Sequence, residues 1–163
     1  MITLQTEPYA SARDDALIKM HYDEIALNKD EKPLNPDWAR YEQMEAAGNL
    51  VCFTARDDYR MVGYSVFLLS WHLHYNTVRV AANDVLYLHP DYRKGMTGIR
   101  LIKYSEAELG KYGADWITFH VKFNKMPDDR KDFSPILHRM GYSDEEKMVG
   151  KMIRREPWQQ AQR

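Results

Sequence analysis

Apolar and polar residues alternate from Ile2 to Thr6, which predicts a short first strand. From Asp14 to about Lys29 the apolar spacing becomes helical, with Leu17, Met20, Glu24 and Leu27 on one face, until Pro33 and Pro36 break it. Asp37 then caps a second predicted helix, roughly Trp38 to Ala47, that Gly48 ends. Residues 50–56 predict a strand, Asp57 and Asp58 a turn, and 60 to about 75 a long strand. Val62, Tyr64, Val66 and Leu68 fall on one side of that strand, and Phe67, Leu69 and Trp71 on the other. It is therefore expected at the centre of a sheet, covered on both faces. Asn76 and Thr77 predict a two-residue hairpin turn into a strand over 78–88.

A helix is predicted over 97–109, with Ile99, Ile102, Ser105 and Leu109 inward and Arg100, Lys103 and Glu106 in water. Residues 116–122 read as a strand and 123–131 as a polar loop containing Pro127. Ser134 is expected to cap a short helix with Pro135 at its first position, ended by Gly141. Residues 146–153 predict a last strand, and 154–163 a polar tail outside the catalytic core. The order is strand, two helices, three antiparallel strands, helix, strand, helix, strand. That is one mixed α+β domain over 1–153, without internal repeats.

Composition narrows the class without naming it. A chain of 163 residues with 44% hydrophobic and 12% aromatic content is long enough to bury a real core. A net charge of −1 supplies no basic field for nucleic acid, and the aromatics are not interleaved with Lys and Arg as a nucleic-acid reader would have them. Cys52 is the one cysteine, set in an apolar run, so it reads as a small buried hydrophobe; no disulfide or multi-cysteine metal site is expected. The sequence shows no secretory leader and no apolar run long enough for a bilayer, so a cytoplasmic protein is expected, without membrane partners.

The chemistry is concentrated where the strand ending Leu86-Tyr87-Leu88 runs through His89-Pro90-Asp91-Tyr92 into Arg93-Lys94-Gly95-Met96-Thr97-Gly98-Ile99 and a helix. A helix start leaves backbone N–H groups unpaired and carries the positive end of the helix dipole, which suits a phosphate. Gly95 and Gly98 let an anion approach the backbone closely, and Arg93 and Lys94 add charge. The loop lacks the Gly-Lys-Ser/Thr ending of a nucleotide-triphosphate loop and the three spaced glycines of a dinucleotide fold.

It resembles the pyrophosphate loop of the GNAT superfamily, the acyl-CoA-dependent N-acyltransferases, whose signature is Arg/Gln-x-x-Gly-x-Gly/Ala after a strand. Arg93 and Gly98 match the ends of that signature, while Met96 stands at the middle glycine. The order of elements agrees over residues 1 to 153, and Leu137-His138-Arg139-Met140-Gly141-Tyr142 is similar to the family's fourth helix. Three segments, His21 to Ile25, His74-Tyr75 and Leu86 to Arg93, look most like phage- and prophage-encoded members, which would place the protein in a host cytoplasm. The resemblance implies a mostly antiparallel twisted sheet of about six to seven strands, splayed between two parallel strands and flanked by about four helices. It implies acetyl-CoA as co-substrate, pantetheine against the backbone at Leu86 and Leu88, and pyrophosphate on Arg93, Lys94, Gly95, Met96, Thr97, Gly98 and Ile99. No metal is implied, and homodimers are common in the family.

Amine acylation then needs a base for the protonated acceptor and a donor for the oxyanion. Asp84 is the first candidate base: it shares a strand face with Val78, Val80, Ala82, Leu86 and Leu88, where burial would raise a carboxyl pKa. It also lies nine residues before Arg93, where several family members carry a catalytic glutamate. Glu24 and His21 share a helix face, His74 ends the central strand, and His120 shares a face with Trp116, Thr118 and Lys122. Glu24, His74 and His120 are the further catalytic candidates. Zinc on His74, Asp84 and His120 is not supported by their spacing. Many members place a tyrosine acid five residues before the terminal aromatic, but here Leu137 stands five before Tyr142, leaving water or His138. The carboxylates Asp14, Asp15, Asp23 and Glu24 hint at a cationic acceptor, either a small amine or an amino group of a peptide or protein. The reading is an N-acetyltransferase acting by direct attack in a ternary complex; the alternative is a GNAT-like binding domain without turnover.

Overall fold

The computed structural model describes residues 1–27, 29–30, 32–122 and 132–151. Its elements run β1 (Ile2–Glu7), α1 (Asp15–Ile25), α2 (Trp38–Ala46), β2 (Leu50–Asp57), β3 (Arg60–Trp71), β4 (Arg79–Leu88), α3 (Thr97–Lys111), β5 (Trp116–Phe119) and α4 (Ser134–Arg139). Among the described residues one five-stranded sheet forms, in the order β1-β2-β3-β4-β5. The first four strands are mutually antiparallel, and β5 joins β4 in parallel. This is the mixed α+β architecture expected from the element order, with five strands among the described residues rather than the six to seven expected.

The sheet is covered on both faces because β2 and β3 carry apolar residues on both. Leu50, Cys52, Tyr64, Val66 and Tyr87 pack with Leu17 of α1 and with Trp38 and Tyr41 of α2. Val51, Phe53, Phe67, Leu69 and Ala81 pack with Leu101 and Leu109 of α3. The central place of β3 follows from this double coverage. Asp14 caps α1, accepting from the Leu17 amide at 2.9 Å, and Asp37 caps α2 through the Arg40 amide at 3.1 Å. Glu7, at the end of β1, accepts from Arg56 Nε at 2.6 Å and Thr54 Oγ1 at 2.9 Å, which ties the chain leaving β1 to β2. Gly63 lets β3 and β4 approach: a Cβ there would fall 2.7 Å from Leu88 Cδ1 and 3.0 Å from the Tyr87 carbonyl oxygen.

One irregularity positions the site. Val66 pairs with Val85 but Phe67 pairs with Asn83, so Asp84 is the extra residue of a β-bulge on β4. The bulge reverses the alternation: Ala81 and Leu86 both join the α3 side, whereas Val85 and Tyr87 join the α1–α2 side. Asn83 is buried beside it, and its Nδ2 donates to Ser65 Oγ and the Val66 carbonyl, each at 3.2 Å, and to the Val85 carbonyl at 2.8 Å. The apolar row expected to hold Asp84 is therefore broken, and Asp84 is exposed.

Other expectations are also corrected. Residues 146–151 form no strand; Met148 and Val149 are adjacent and both exposed, so the segment offers no single apolar face, and 152–153 lie outside the described residues. The expected loop 123–131 and tail 154–163, including the boundary of the catalytic domain, likewise fall wholly or largely outside them. The β3–β4 connection spans 72–78 and is closed by the His72 amide on the Val78 carbonyl at 2.9 Å. A two-residue turn of the primed type needs positive φ at both positions, which a β-branched Thr77 resists. Trp71 is exposed rather than covered, with the Arg79 guanidinium 5.9 Å above its ring. On α1, Leu17 is buried while Met20 and Leu27 are exposed. On α3, Leu101 replaces Ile99 in the buried stripe, and Glu106 accepts a bond from Tyr142 at 2.7 Å rather than facing water alone. In α4 the cap position is Phe133, and the Ser134 amide and hydroxyl donate to Asp132.

Asn83→Ala should cost about 2–3 kcal/mol, since two buried carbonyls and the Ser65 hydroxyl lose their donor. Urea denaturation measures this, and a loss under about 0.5 kcal/mol would show that the bulge holds without the amide.

Candidate functional site

The parallel pairing of β4 with β5 runs from Val80 opposite Trp116 to Asn83 opposite Phe119 and stops there. Strand β4 continues along β3 to Leu88, so the sheet opens on the β5 side from the bulge onward. Asp84 and His120 stand one residue past the last pair, at the mouth of this opening. The far end of the opening leads through a single 3-10 turn, Pro90–Tyr92, into α3.

At the start of α3, Met96 is the cap residue and no side chain bonds the first turn. Arg100 donates to the Met96 carbonyl at 2.8 Å and is the first amide of α3 to find a carbonyl. Lys94, Gly95 and Met96 are exposed, and Thr97, Gly98 and Ile99 are half-buried. Neither Gly95 nor Gly98 has a positive φ. A Cβ at Gly95 would meet nothing within 4 Å, and one at Gly98 would make an ordinary 3.6 Å contact with Leu88. The glycines thus keep the surface over the helix start bare rather than permit a special backbone. Arg100 reaches the Ile2 carbonyl at 3.4 Å, and Lys103 is exposed.

Arg93 is turned away from this surface. Its Nη1 and Nη2 donate to Glu24 Oε1 and Oε2 at 2.6 and 2.7 Å, and its Nε donates to the Leu88 carbonyl at 2.7 Å. Tyr87 Oη donates to Glu24 Oε2 at 2.9 Å, and the Arg93 guanidinium lies 5.2 Å from the Tyr87 ring. Burial, then the Glu24 carboxylate, push the Tyr87 phenol up to about 12. Glu24 therefore fastens α1 to the loop. His21, one turn earlier, stacks on Tyr87 at 4.8 Å and shares a 2.8 Å hydrogen bond with Tyr64 Oη through Nδ1. Burial pulls its pKa down to about 4, aided by the charges of Lys122 and Arg93 against that of Glu24.

Asp84 accepts from Tyr41 Oη of α2 at 3.1 Å through Oδ2. Tyr41 stacks on Tyr9 at 4.4 Å, and burial and the Asp84 charge raise its phenol pKa well above the ordinary value. Lys122, past the end of β5, donates to the Ile25 carbonyl at the end of α1 at 3.4 Å. Burial and the Lys32 charge lower its pKa, while the Asp84 charge opposes them. Asp84, His120 and Lys122 thus lie around one mouth. His74 does not: it is exposed in the 72–78 connection, its amide on His72 Nδ1 at 3.1 Å. That connection joins the start of β4, a distance of about 15 Å along the strand from Asp84. Leu137 is buried, Tyr142 is engaged with Glu106, and His138 bonds Asp144 at 3.0 Å. Among the described residues, no three His, Cys, Asp or Glu side chains gather as a metal-binding group, and no helix is long and apolar enough to cross a membrane.

Sequence reasoning missed Asn83, Tyr41 and Lys122. The adjacent Asn83 and Asp84 in an otherwise apolar strand were the available signal for a bulge. Tyr41 gave none, because an aromatic in an amphipathic helix reads as core.

No protein-family model and no curated protein matches the chain. Solved structures match across almost its whole length. An aminoglycoside acetyltransferase from an uncultured soil metagenomic sample superposes with a TM-score of 0.71 at 12% identity, covering 94% of this chain and 99% of that one. A ribosomal-protein-alanine N-acetyltransferase from Brucella melitensis biovar Abortus 2308 gives 0.65 at 15%, covering 93% and 99%. A transcriptional regulator from Bacillus halodurans C-125 gives 0.71 at 16%, covering 93% and 99%. Nothing in these likenesses speaks to a phage origin. At such identities they establish the fold, and that fold is the GNAT fold.

His21 generates a pH prediction. Its folded pKa lies below the ordinary histidine value, so the unfolded chain binds more protons between about pH 6.5 and 4. The stability it contributes is complete above about pH 6.5 and falls as pH drops, by about 2 kcal/mol at pH 5. Urea midpoints at pH 7 and pH 5 should show a smaller fall for His21→Gln than for the parent; equal falls would remove His21 as the source.

Proposed function

We propose that the chain is an acyl-CoA-dependent N-acetyltransferase that moves an acetyl group from acetyl-CoA to a primary amine in a ternary complex. One observation carries the reading: the parallel β4–β5 pair opens after Asn83 and the opening ends at the bare start of α3. Two of the three like-folded proteins above are named as acetyltransferases, one for aminoglycosides and one for ribosomal-protein alanine. The pantetheine arm would lie in the opening beside Leu86 and Leu88, and the pyrophosphate on the amides after Arg93. Arg93 itself holds the loop to α1 instead of meeting phosphate. In this reading the protein works in the cytoplasm, where acetyl-CoA is at hand.

In this reading Asp84 takes the proton of the acceptor ammonium. The neutral amine attacks the thioester carbonyl, and a backbone N–H of β4 stabilises the oxyanion. The C–S bond then breaks and the thiolate leaves. Leu137 has no proton to give, so the second proton shed by the nitrogen reaches the departing sulfur through water. Glu24 is committed to Arg93 and Tyr87, which leaves Asp84, with His120 beside it, as the base. A second reading, a binding domain without turnover, is favoured by Met96 in the place of the loop's middle glycine and by a like-folded protein named as a transcriptional regulator. Titration with acetyl-CoA followed by a thiol-release assay separates the two.

Gly98→Glu should abolish acetyl-CoA binding by calorimetry while the protein stays folded, because its Cβ makes only an ordinary contact and its carboxylate faces the pyrophosphate. Unchanged affinity in a folded variant would overturn the loop assignment.

Asp84→Asn should lower kcat/KM by roughly ten- to a thousand-fold near pH 7. The deficit should narrow toward about pH 9.5 as the amine deprotonates unaided. A variant equal to the parent at pH 7, or a deficit independent of pH, would move the role to His120.

A further inference from the structure

The carboxylates on α1 and its approach do not attract a cationic acceptor, because each is already engaged. Asp14 caps the helix, Asp15 pairs with Arg13 at 3.0 Å, Asp23 with Lys19 at 2.5 Å, and Glu24 with Arg93. The uncommitted charge lies at the mouth of the strand opening. Asp84 is exposed, with one carboxylate oxygen held by Tyr41. Lys122 stands across from it, anchored at 3.4 Å on the last carbonyl of α1. The two charges act on one another, yet among the described residues neither enters an ion pair within 4.0 Å. Lys32 adds a second positive charge that acts on Lys122.

We infer that the acceptor is a free amino acid, whose ammonium meets Asp84 and whose carboxylate meets Lys122. This rests on the acetyltransferase reading and names its substrate class. A simple amine would satisfy Asp84 but would enter against the repulsion of Lys122 and Lys32. A zwitterion satisfies both poles, and its carboxylate offsets the positive charge of Lys122 and Lys32. Burial first, then the Lys32 charge, disfavours the Lys122 ammonium, and a bound carboxylate offsets both. The reaction balances: the amino nitrogen forms the amide bond, the thioester C–S bond breaks, one ammonium proton passes to Asp84, the second passes through water to the departing thiolate, and the carboxylate is unchanged.

The test uses matched acceptors with acetyl-CoA: an amino acid, its carboxamide, and the amine lacking the carboxyl group, with thiol release as readout. The carboxamide is the stringent control. An amino group beside an amide titrates near about 8, so basicity alone would favour the carboxamide over the amino acid. The expected result is a kcat/KM for the amino acid about ten- to a hundred-fold above its carboxamide, the range of one charge-assisted hydrogen bond. In Lys122→Met that ratio should collapse toward unity, mostly through KM. Equal or better turnover of the carboxamide or amine by the parent protein overturns the proposal and leaves the acetyltransferase reading standing. So does an unchanged ratio in Lys122→Met. Acetyl-CoA binding without turnover of any set overturns the acceptor class, whereas no acetyl-CoA binding overturns the acetyltransferase reading itself.

Discussion

The site depends on how Asn83 manages a bulge. An extra residue in β4 disrupts the ladder with β3 and would leave the Val66 and Val85 carbonyls under-satisfied inside the sheet. The Asn83 amide supplies that donor, its two hydrogens shared among Ser65, Val66 and Val85. Once the bulge is held, three things follow. The side-chain alternation of β4 reverses, Asp84 turns out beneath Tyr41, and β5, which pairs only as far as Asn83, parts from its neighbour. One buried amide therefore stands at the point where the parallel pair ends and the sheet opens.

A second device couples the two sides of that opening. Arg93 belongs to the loop before α3, and Glu24 belongs to α1, which walls the other side. Their bidentate pair is half-shielded, and Leu88 and Tyr87 hold it from β4. An exposed pair of this kind is worth little, but a bidentate one with both partners further bonded fixes geometry as well as energy. Movement of the helix that faces the acceptor would thus be felt at the loop proposed to hold the pyrophosphate. Arg93, expected from the sequence to meet phosphate, is engaged here by Glu24 and the Leu88 carbonyl and serves as a strut.

Much of the fold was legible. Apolar runs on both faces of β3 placed it at the centre, and the Asp37 cap and Gly48 fixed α2 almost to the residue. The failures share a physical form: alternation was extended as though strands were regular. Val78, Val80, Ala82, Asp84, Leu86 and Leu88 make one row on paper, and the bulge divides it. The last predicted strand failed because Met148 and Val149 are neighbours and cannot share a face. His74 was grouped with the site because it follows the central strand, yet strand length carries it to the far end of β4. Lys122 was passed over because a lysine after an apolar strand reads as an edge charge, and its relation to Asp84 exists only across the opening.

Identity near one residue in seven with like-folded structures is intelligible on these terms. In the acetyltransferase reading the thioester is already activated, and an opened strand pair, backbone amides and a helix start can be built from many side chains. Such a site constrains backbone geometry far more than residue identity, so the fold survives where the sequence does not. What must vary with the acceptor is the small set of charges at the mouth. Here Asp84 and Lys122 stand at that mouth without an ion pair between them, and under the proposed reading a ligand with both signs of charge is the simplest partner they admit.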